Sequence, residues 1–384
     1  MNSVFASIGP KLVELAIRQR VSYGKQNMML NDGQLHVILV GTGSPITDLT
    51  RAGPCAVVIA GSEYLVVDVG QGSFAKISTI DPNFVQSITG ILLTHFHSDH
   101  ITQLGEYCTM TWAGSGRCSK LPVYGPPGVK KVVSGFHAAY EEDSKYRRDH
   151  HHNPPLVIME SEYAFGDPIE IPVPGGSHNS LESEVVFNKN GLKVIAFNVD
   201  HKPVIPAFGY RFEYRGRVVV ISGDTAKCEQ LVKFSRGADI LISEASSCIA
   251  LDGMIQGLTS TGQPRLAKLM DDIKGYHIDV QDAADIASKN KIPILALTHI
   301  VPGTQGSWLF LRMWLSKFIR PKEWKGELIV GNDGDSFHLP SSPSKKIERR
   351  NLLDSNTTTL SKNVKLVVIG VFIALLSWIF MYVL

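Results

Sequence analysis

Ile91-Leu92-Leu93-Thr94-His95-Phe96-His97-Ser98-Asp99-His100 decides the fold: three strand-like apolar residues lead at once into four ligand-type side chains within six positions. In an extended segment His95 and His97 point to the same side, and the turn that follows can bring Asp99 and His100 to a neighbouring position. Imidazole and carboxylate at this density suit zinc, held at about 2.0–2.2 Å by three or four protein ligands with a position left for water. A cluster of this kind needs further ligands from the ends of other strands. His201 closes VIAFNVDH (194–201), Asp224 closes VVVISGD (218–224) and His299 closes ILALTH (294–299). A lone histidine is usually a satisfied core or surface residue, but seven ligand types at strand ends are a site built at one rim of a sheet.

Outward from this stretch, short β-rich runs dominate the first half: HVILVGTG (36–43), CAVVIAG (55–61), YLVVDVG (64–70) and ITGILLTH (88–95). YRFEYRGRVVVISGD (210–224) reads as a hairpin turning at Arg215-Gly216, followed by ADILISEA (238–245) and PILALTH (293–299). Between the last two, Asp279 can cap a helix over 279–290 whose Ala283, Ile286 and Ala287 form an apolar face. Strands first, then strands mixed with helices, give a layered α/β architecture with two sheets.

The chain has 384 residues, 38 Lys+Arg against 36 Asp+Glu, and 44% hydrophobic residues, which fits a folded core and excludes a disordered or fibrous protein. The net charge of +2 is unevenly spread. Positions 339–384 hold six cations (Lys345, Lys346, Arg349, Arg350, Lys362, Lys365) and two anions (Glu348, Asp354), so the tail is +4 and the body −2. A slightly acidic body lacks the overall field of a dedicated nucleic-acid binder. The five cysteines form no CxxC pair, which argues against a disulfide framework or a thiolate zinc site.

Leu366 to Leu384 is a 19-residue uncharged run, about 29 Å long as a helix and close to the ~30 Å core of a bilayer. The expectation is a transmembrane tail anchor over 366–384. It follows a polar basic linker over 340–365, a hydrolase domain over 36–339 and an amphipathic segment over 1–35. The flanking cations all lie N-terminal to the span, so the positive-inside rule puts the body on the cytoplasmic side.

The ordered set GTGSP (41–45), VVDVGQG (66–72), THFHSDH (94–100), PVYGPPG (122–128), VDH followed by FGYRF (199–212), SGDT (222–225), SEAS (243–246), GYHIDV (275–280) and LTHIVPG (297–303) resembles the metallo-β-lactamase superfamily. YGPPG and the His before GYRF resemble its ribonuclease Z-like branch, in an arm-less, arylsulfatase-like form. The resemblance implies an αββα four-layer sandwich with two Zn2+, Mn2+ or Fe2+ being alternatives. It implies His95, His97 and His201 on one zinc, Asp99, His100 and His299 on the other, Asp224 bridging, and Asp68 supporting the site from beneath. Asp99, His277 and Glu244 carry the catalytic expectation: a metal-bridging hydroxide attacks while His277, held by Glu244, protonates the leaving group.

One departure bears on substrate. Enzymes of this branch that trim tRNA typically insert a long arm between the equivalents of His201 and Asp224, and only 22 residues separate the two here. The extra length instead lies between His100 and His201, where EEDSKYRRDHHHNPP (141–155) reads as a solvated loop. The expectation is a membrane-tethered dinuclear zinc phosphodiesterase. An arylsulfatase, lactonase or other small-ester hydrolase is the alternative, and a non-catalytic membrane scaffold a third reading. The expected partners are membrane lipid through the C-terminal helix, a small anionic ester or phosphodiester, nucleic acid more weakly, and a second copy of the chain as a homodimer.

Overall fold

The computed structural model describes residues 10–11, 13–15, 17–18, 29–46, 48–115, 117–151, 164–303, 321–342 and 344–354. One sheet holds β1 (Leu35–Gly41), β2 (Cys55–Ala60), β3 (Glu63–Val67), β4 (Gly90–Leu92), β5 (Leu121–Gly125), β6 (Gly166–Glu170), β14 (Asp335–Leu339) and β15 (Glu348–Asn351), in the order β15-β14-β1-β2-β3-β4-β5-β6. The other holds β7 (Ser183–Lys189), β8 (Leu192–His201), β9 (Val204–Tyr214), β10 (Arg217–Ile221), β11 (Ile240–Ser246), β12 (Ile294–Val301) and β13 (Glu327–Val330), in the order β13-β12-β11-β10-β9-β8-β7.

The near-continuous apolar runs of the sequence have a simple cause: both faces of the central strands are covered. Along β1, Val37 and Leu39 point between the sheets and meet a core that includes Phe208, Tyr210, Phe212, Val219 and Ile242. Their neighbours Ile38 and Val40 face the other way, towards Ile77, Tyr107 and Val133 on helices Ser73–Ile80, Leu104–Ser115 and Val129–Ala139. On the far side, Phe197, Val220, Leu241 and Leu295 pack under Leu231, Ala283, Ala284 and Ala287 of helices Glu229–Phe234 and Val280–Lys289. Helix, sheet, sheet and helix are therefore stacked as four layers.

The hairpin turns as expected, with Arg215 (φ 47°) and Gly216 (φ 79°) as a two-residue link between β9 and β10, the left-handed pair that matches strand twist. Asp279 accepts a hydrogen bond from Gln281 N at the start of Val280–Lys289, so the cap read from sequence is made.

Several boundaries differ from expectation. Residues 340–354 are not free linker: Glu348–Asn351 pairs antiparallel with β14, and Ile347 and Leu352 pack on the two cores. Buried Arg217 holds the approach to that strand, donating to the carbonyls of Pro340 (2.7 Å), Ser342 (3.0 Å) and Lys345 (2.8 Å) and pairing with Asp239. Hydrophilic composition hid this strand, because one guanidinium and a backbone ladder hold it rather than a large apolar face. The packed body also begins before His36, since Met29 and Leu30 join the outer core and Asn31 N donates to Gly61 O.

The run 141–155, expected as a solvated loop, is helical over Glu141–His151. Its i,i+3 and i,i+4 pairs supply the reason: Lys145 with Glu141 and Glu142, and Arg147 with Asp143. In the N-terminal segment, the described positions from Pro10 to Arg18 are helical, and Val13, Leu15 and Ile17 are exposed. Among the described residues no helix is long and apolar enough to cross a membrane. The expected anchor, 366–384, lies outside the described residues.

Candidate metal centre

The ligand-type residues gather at the rim where β3, β4, β8, β10 and β12 deliver their ends. Two bonds between the sheets fix the central stretch just before His95. Fully buried Tyr210 donates its hydroxyl to Leu93 O (2.6 Å), and Phe208 N donates to Thr94 O (3.0 Å). Two residues of the site are left-handed without being glycine, Asp68 (φ 56°) and His299 (φ 45°). His299 is the extra residue of a bulge, because Glu244 pairs with Thr298 and Ala245 with Ile300. A bulge re-aims one side chain without ending the strand, and unfavourable φ values concentrate at functional sites. Gly223 (φ 62°) admits no side chain, since a Cβ would meet Phe208 O and Thr94, so SGDT requires glycine before Asp224.

The geometry has Asp224 Oδ2 at its middle. That oxygen lies 3.3 Å from His100 Nε2, 3.4 Å from His299 Nε2, 3.9 Å from His201 Nε2 and 4.0 Å from His95 Nε2. On one side His97 Nδ1 stands 2.9 Å from His95 Nε2 and 3.3 Å from His201 Nε2. On the other, Asp99 Oδ2 stands 3.3 Å from His299 Nε2 and 3.6 Å from His100 Nε2. Two ligand groups therefore form, His95, His97, His201 and Asp224, and Asp99, His100 and His299; Asp224, His277 and His299 make a third overlapping set. All seven residues expected as ligands are brought together.

Outer contacts decide which nitrogens face inward. His100 Nδ1 donates to Asp68 Oδ2 (2.8 Å), and His201 Nδ1 donates to Tyr276 O (2.9 Å). His95 Nδ1 is 3.0 Å from Thr94 Oγ1, whose proton goes to Asp68 Oδ2 (2.8 Å), so His95 donates there. With Nδ1 protonated, the Nε2 atoms of His95, His100 and His201 are bare acceptors aimed at one another and at two carboxylates. Buried His100 Nε2 makes no well-formed hydrogen bond among the described residues, with Asp224 Oδ2 standing 3.3 Å away. Burial first, then the neighbouring His100, pushes His95 well below the usual imidazole range; His201 is lowered chiefly by burial. Burial would also lower His100, but Asp224 and Asp68 outweigh it and draw positive charge to that point. A centre composed of acceptors fits divalent cations.

Beside this set, His277 Nδ1 lies 3.1 Å from Glu244 Oε1 and 4.0 Å from Asp224 Oδ2. Burial works against its charge, but Glu244 by charge and hydrogen bond, and then Asp224, raises it to about 9. Glu244 is itself fixed, its Oε1 also accepting from Thr225 N (2.9 Å) and Ile278 N (3.1 Å). Sequence reading missed the supporting groups: Thr94, Thr225, Ser222, which accepts from Glu244 N, and the Tyr276 carbonyl. Thr94, Ser222 and Thr225 each sit next to a ligand or to its glycine; the Tyr276 carbonyl leaves no trace in side-chain pattern.

Residues 66–300 match the family model for a beta-lactamase superfamily domain. A ribonuclease Z of Mycobacterium bovis is 31% identical over 305 residues, covering 78% of this chain and 96% of that protein. A ribonuclease Z of Mycolicibacterium gilvum is 34% identical over 273 residues, covering 71% and 86%. Among solved structures, the short form of human tRNase Z is similar with TM-score 0.54 and 21% identity, covering 79% of this chain and 99% of that one. The metallo-beta-lactamase fold protein YhfI of Bacillus subtilis gives 0.53, 17%, 79% and 99%. The fold and site define a metal-dependent hydrolase. The chain belongs to the metallo-β-lactamase superfamily, on its ribonuclease Z-like branch.

Proposed function

We propose that the protein is a dinuclear zinc phosphodiesterase. The observation that supports this most directly is the pair of ligand groups with Asp224 Oδ2 facing both, in a chain 31% identical to a ribonuclease Z over 96% of that protein's length. His95, His97 and His201 would hold one cation and Asp99, His100 and His299 the other, with Asp224 common to both. Two such cations supply charge that activates water and neutralises the phosphoryl oxygens.

The remaining work falls to the chain's own groups. Hydrolysis places the water oxygen on phosphorus, breaks the P–O bond to the leaving group and requires a proton on the departing oxygen. His277, kept protonated by Glu244, is the donor; its Nε2 proton goes to the departing oxygen, leaving a neutral imidazole whose Nδ1–H still donates to Glu244 Oε1. Asp68 and the Tyr276 carbonyl hold His100 and His201 in the tautomers that bind metal.

A second reading, hydrolysis of a small anionic ester, draws on one feature: β9 and β10 are joined by only two residues where tRNA-processing relatives typically carry an arm. We also propose that 366–384 anchors the protein with its body on the cytoplasmic side, on the strength of the uncharged 19-residue run and the cations preceding it. The test is bound metal per chain with turnover of an aryl phosphodiester, an aryl sulfate, a lactone and a 3′-extended tRNA. Bound metal well below two per chain, or activity surviving Asp99→Ala, sinks the dinuclear reading, and selective sulfate or lactone turnover promotes the second. A body protected from protease added outside intact membranes refutes the anchor.

A further inference from the structure

His277 has no strand of its own to stand on. It precedes helix Val280–Lys289 in a short link after helix Pro264–Ile273, yet it must meet Glu244 in the middle of the other ligands. The Asp279 carboxylate is one of the points that hold the link. Asp279 Oδ1 accepts from Gln281 N (2.8 Å), the start of its own helix, and Oδ2 accepts from Cys248 N (3.0 Å), the first residue of helix Cys248–Ser260. One carboxylate thus ties two helix starts together, and each start favours negative charge.

The tie also joins backbone to backbone. Ser246 N donates to Ile278 O (2.7 Å), and Ser247 N donates to Val301 O (2.8 Å), two residues beyond His299. Ser246 and Asp279 form an isolated parallel bridge. The end of β11, which carries Glu244, is therefore clasped between the His277 link and the strand bearing His299. The Asp279 carboxylate closes the clasp on the His277 side.

We propose that Asp279 is a positioning residue for His277, setting the place from which His277 delivers its proton to the leaving oxygen. The inference rests on the proposed role of His277. Among the described residues Asp279 makes no hydrogen bond to a ligand side chain, and the one ligand contact of the link, Tyr276 O with His201 Nδ1, lies three residues before it, so its loss should act chiefly on proton delivery and leave zinc bound. A displacement of about 1 Å in a catalytic group can cost on the order of a hundredfold in rate.

The test uses the full chain loaded with zinc and two diesters, bis(4-nitrophenyl) phosphate and diphenyl phosphate, whose leaving groups differ in their need for a proton. Asp279→Ala should lower kcat on the phenyl ester by about tenfold to a hundredfold and on the nitrophenyl ester by no more than about threefold, with bound zinc and KM unchanged. Asp279→Asn, which keeps one acceptor oxygen, should fall between wild type and Asp279→Ala and serves if the alanine variant does not fold. His277→Ala sets the standard of leaving-group selectivity. If His277→Ala is selective while Asp279→Ala and Asp279→Asn lower both esters equally or lose zinc, the positioning role is overturned. If His277→Ala is itself unselective, the acid role fails, and this inference with it.

Discussion

His100 and Asp68 are joined by a 2.8 Å hydrogen bond from Nδ1 to Oδ2, and that contact determines which nitrogen of His100 is presented to the other ligands. The same carboxylate accepts from Thr94 N (2.9 Å) and Thr94 Oγ1 (2.8 Å), so it also fixes the backbone immediately before His95. Asp68→Asn replaces one of these acceptor oxygens by a donor. Metal affinity should fall about tenfold to a hundredfold, the usual cost of losing an outer partner of a ligand. Competition with a chelator of known affinity measures it, and an unchanged affinity would refute the supporting role.

Asp224 and Asp99 should differ in what they cost. Asp224 Oδ2 faces both ligand groups, whereas the close contacts of Asp99 among the described residues are with His100 and His299. Elemental analysis of Asp99→Ala should show one cation retained, and Asp224→Ala should retain neither tightly. Equal losses would mean the groups do not load as two sites.

Removing the cations should destabilise the body, since the acceptor atoms of the centre then face one another with only protons to share. Binding to the folded state alone stabilises by about 2.7 kcal/mol at a hundredfold excess over Kd. A chelator should lower the unfolding midpoint accordingly, and added zinc should restore it.

The end of β15 gives a prediction about chain length. A chain ending at Asp354 keeps the ladder between β15 and β14 and serves as the reference in denaturant unfolding. A chain ending at Leu339 loses the ladder with β14, the Arg349–Asp335 pair (2.8 Å) and three acceptors of buried Arg217. With buried groups unsatisfied at about 1–3 kcal/mol each, it should be less stable by several kcal/mol.

Away from the metal site, His36 and His338 meet Nδ1 to Nδ1 at 2.8 Å, with Asp32 on the far nitrogen of His36 and Glu348 and Arg350 near His338. Burial first, then His36 and Arg350, lowers His338 to about 4 from 6.5. The unfolded chain therefore binds a proton at this residue before the folded chain does. The contribution is whole above pH about 6.5 and is lost as pH falls towards about 4; that interval corresponds to about 3.4 kcal/mol, which solvent screening of the incompletely buried ring reduces to about 2 kcal/mol. Denaturation of wild type and His338→Asn across that range measures it, and parallel curves would refute it.

What could be read from sequence follows a physical divide. His95, His201, Asp224 and His299 are legible because each ends an apolar run, His97 because it falls in the dense ligand cluster just after, and Asp279 because a capping aspartate before an amphipathic stretch has a recognisable pattern. The bulge at His299 was not legible, since register between β11 and β12 depends on residues more than fifty positions apart. Nor was β15: its cohesion comes from Arg217 and from main-chain bonds, neither of which marks a hydrophilic segment as folded. The helix at Glu141–His151 passed for a loop because its stabilising pairs look the same as solvated charge.

The direction of β15 has a consequence for how substrate arrives. Asn351 lies opposite Asp335, and Leu352 N donates to Gly334 O, while Gly41, at the end of the adjacent β1, lines the same cavity as Asp68, His100, Asp224 and His299. The end of β15 thus lies on the chemical side, about 20 Å across the sheet from β3 at ~4.8 Å per strand. Between Asp354 and Leu366 there are 11 residues, a reach of at most about 40 Å. On the proposed anchored reading, attachment would begin on the same rim as the metal centre, and a surface within that reach would favour substrates already lying on it.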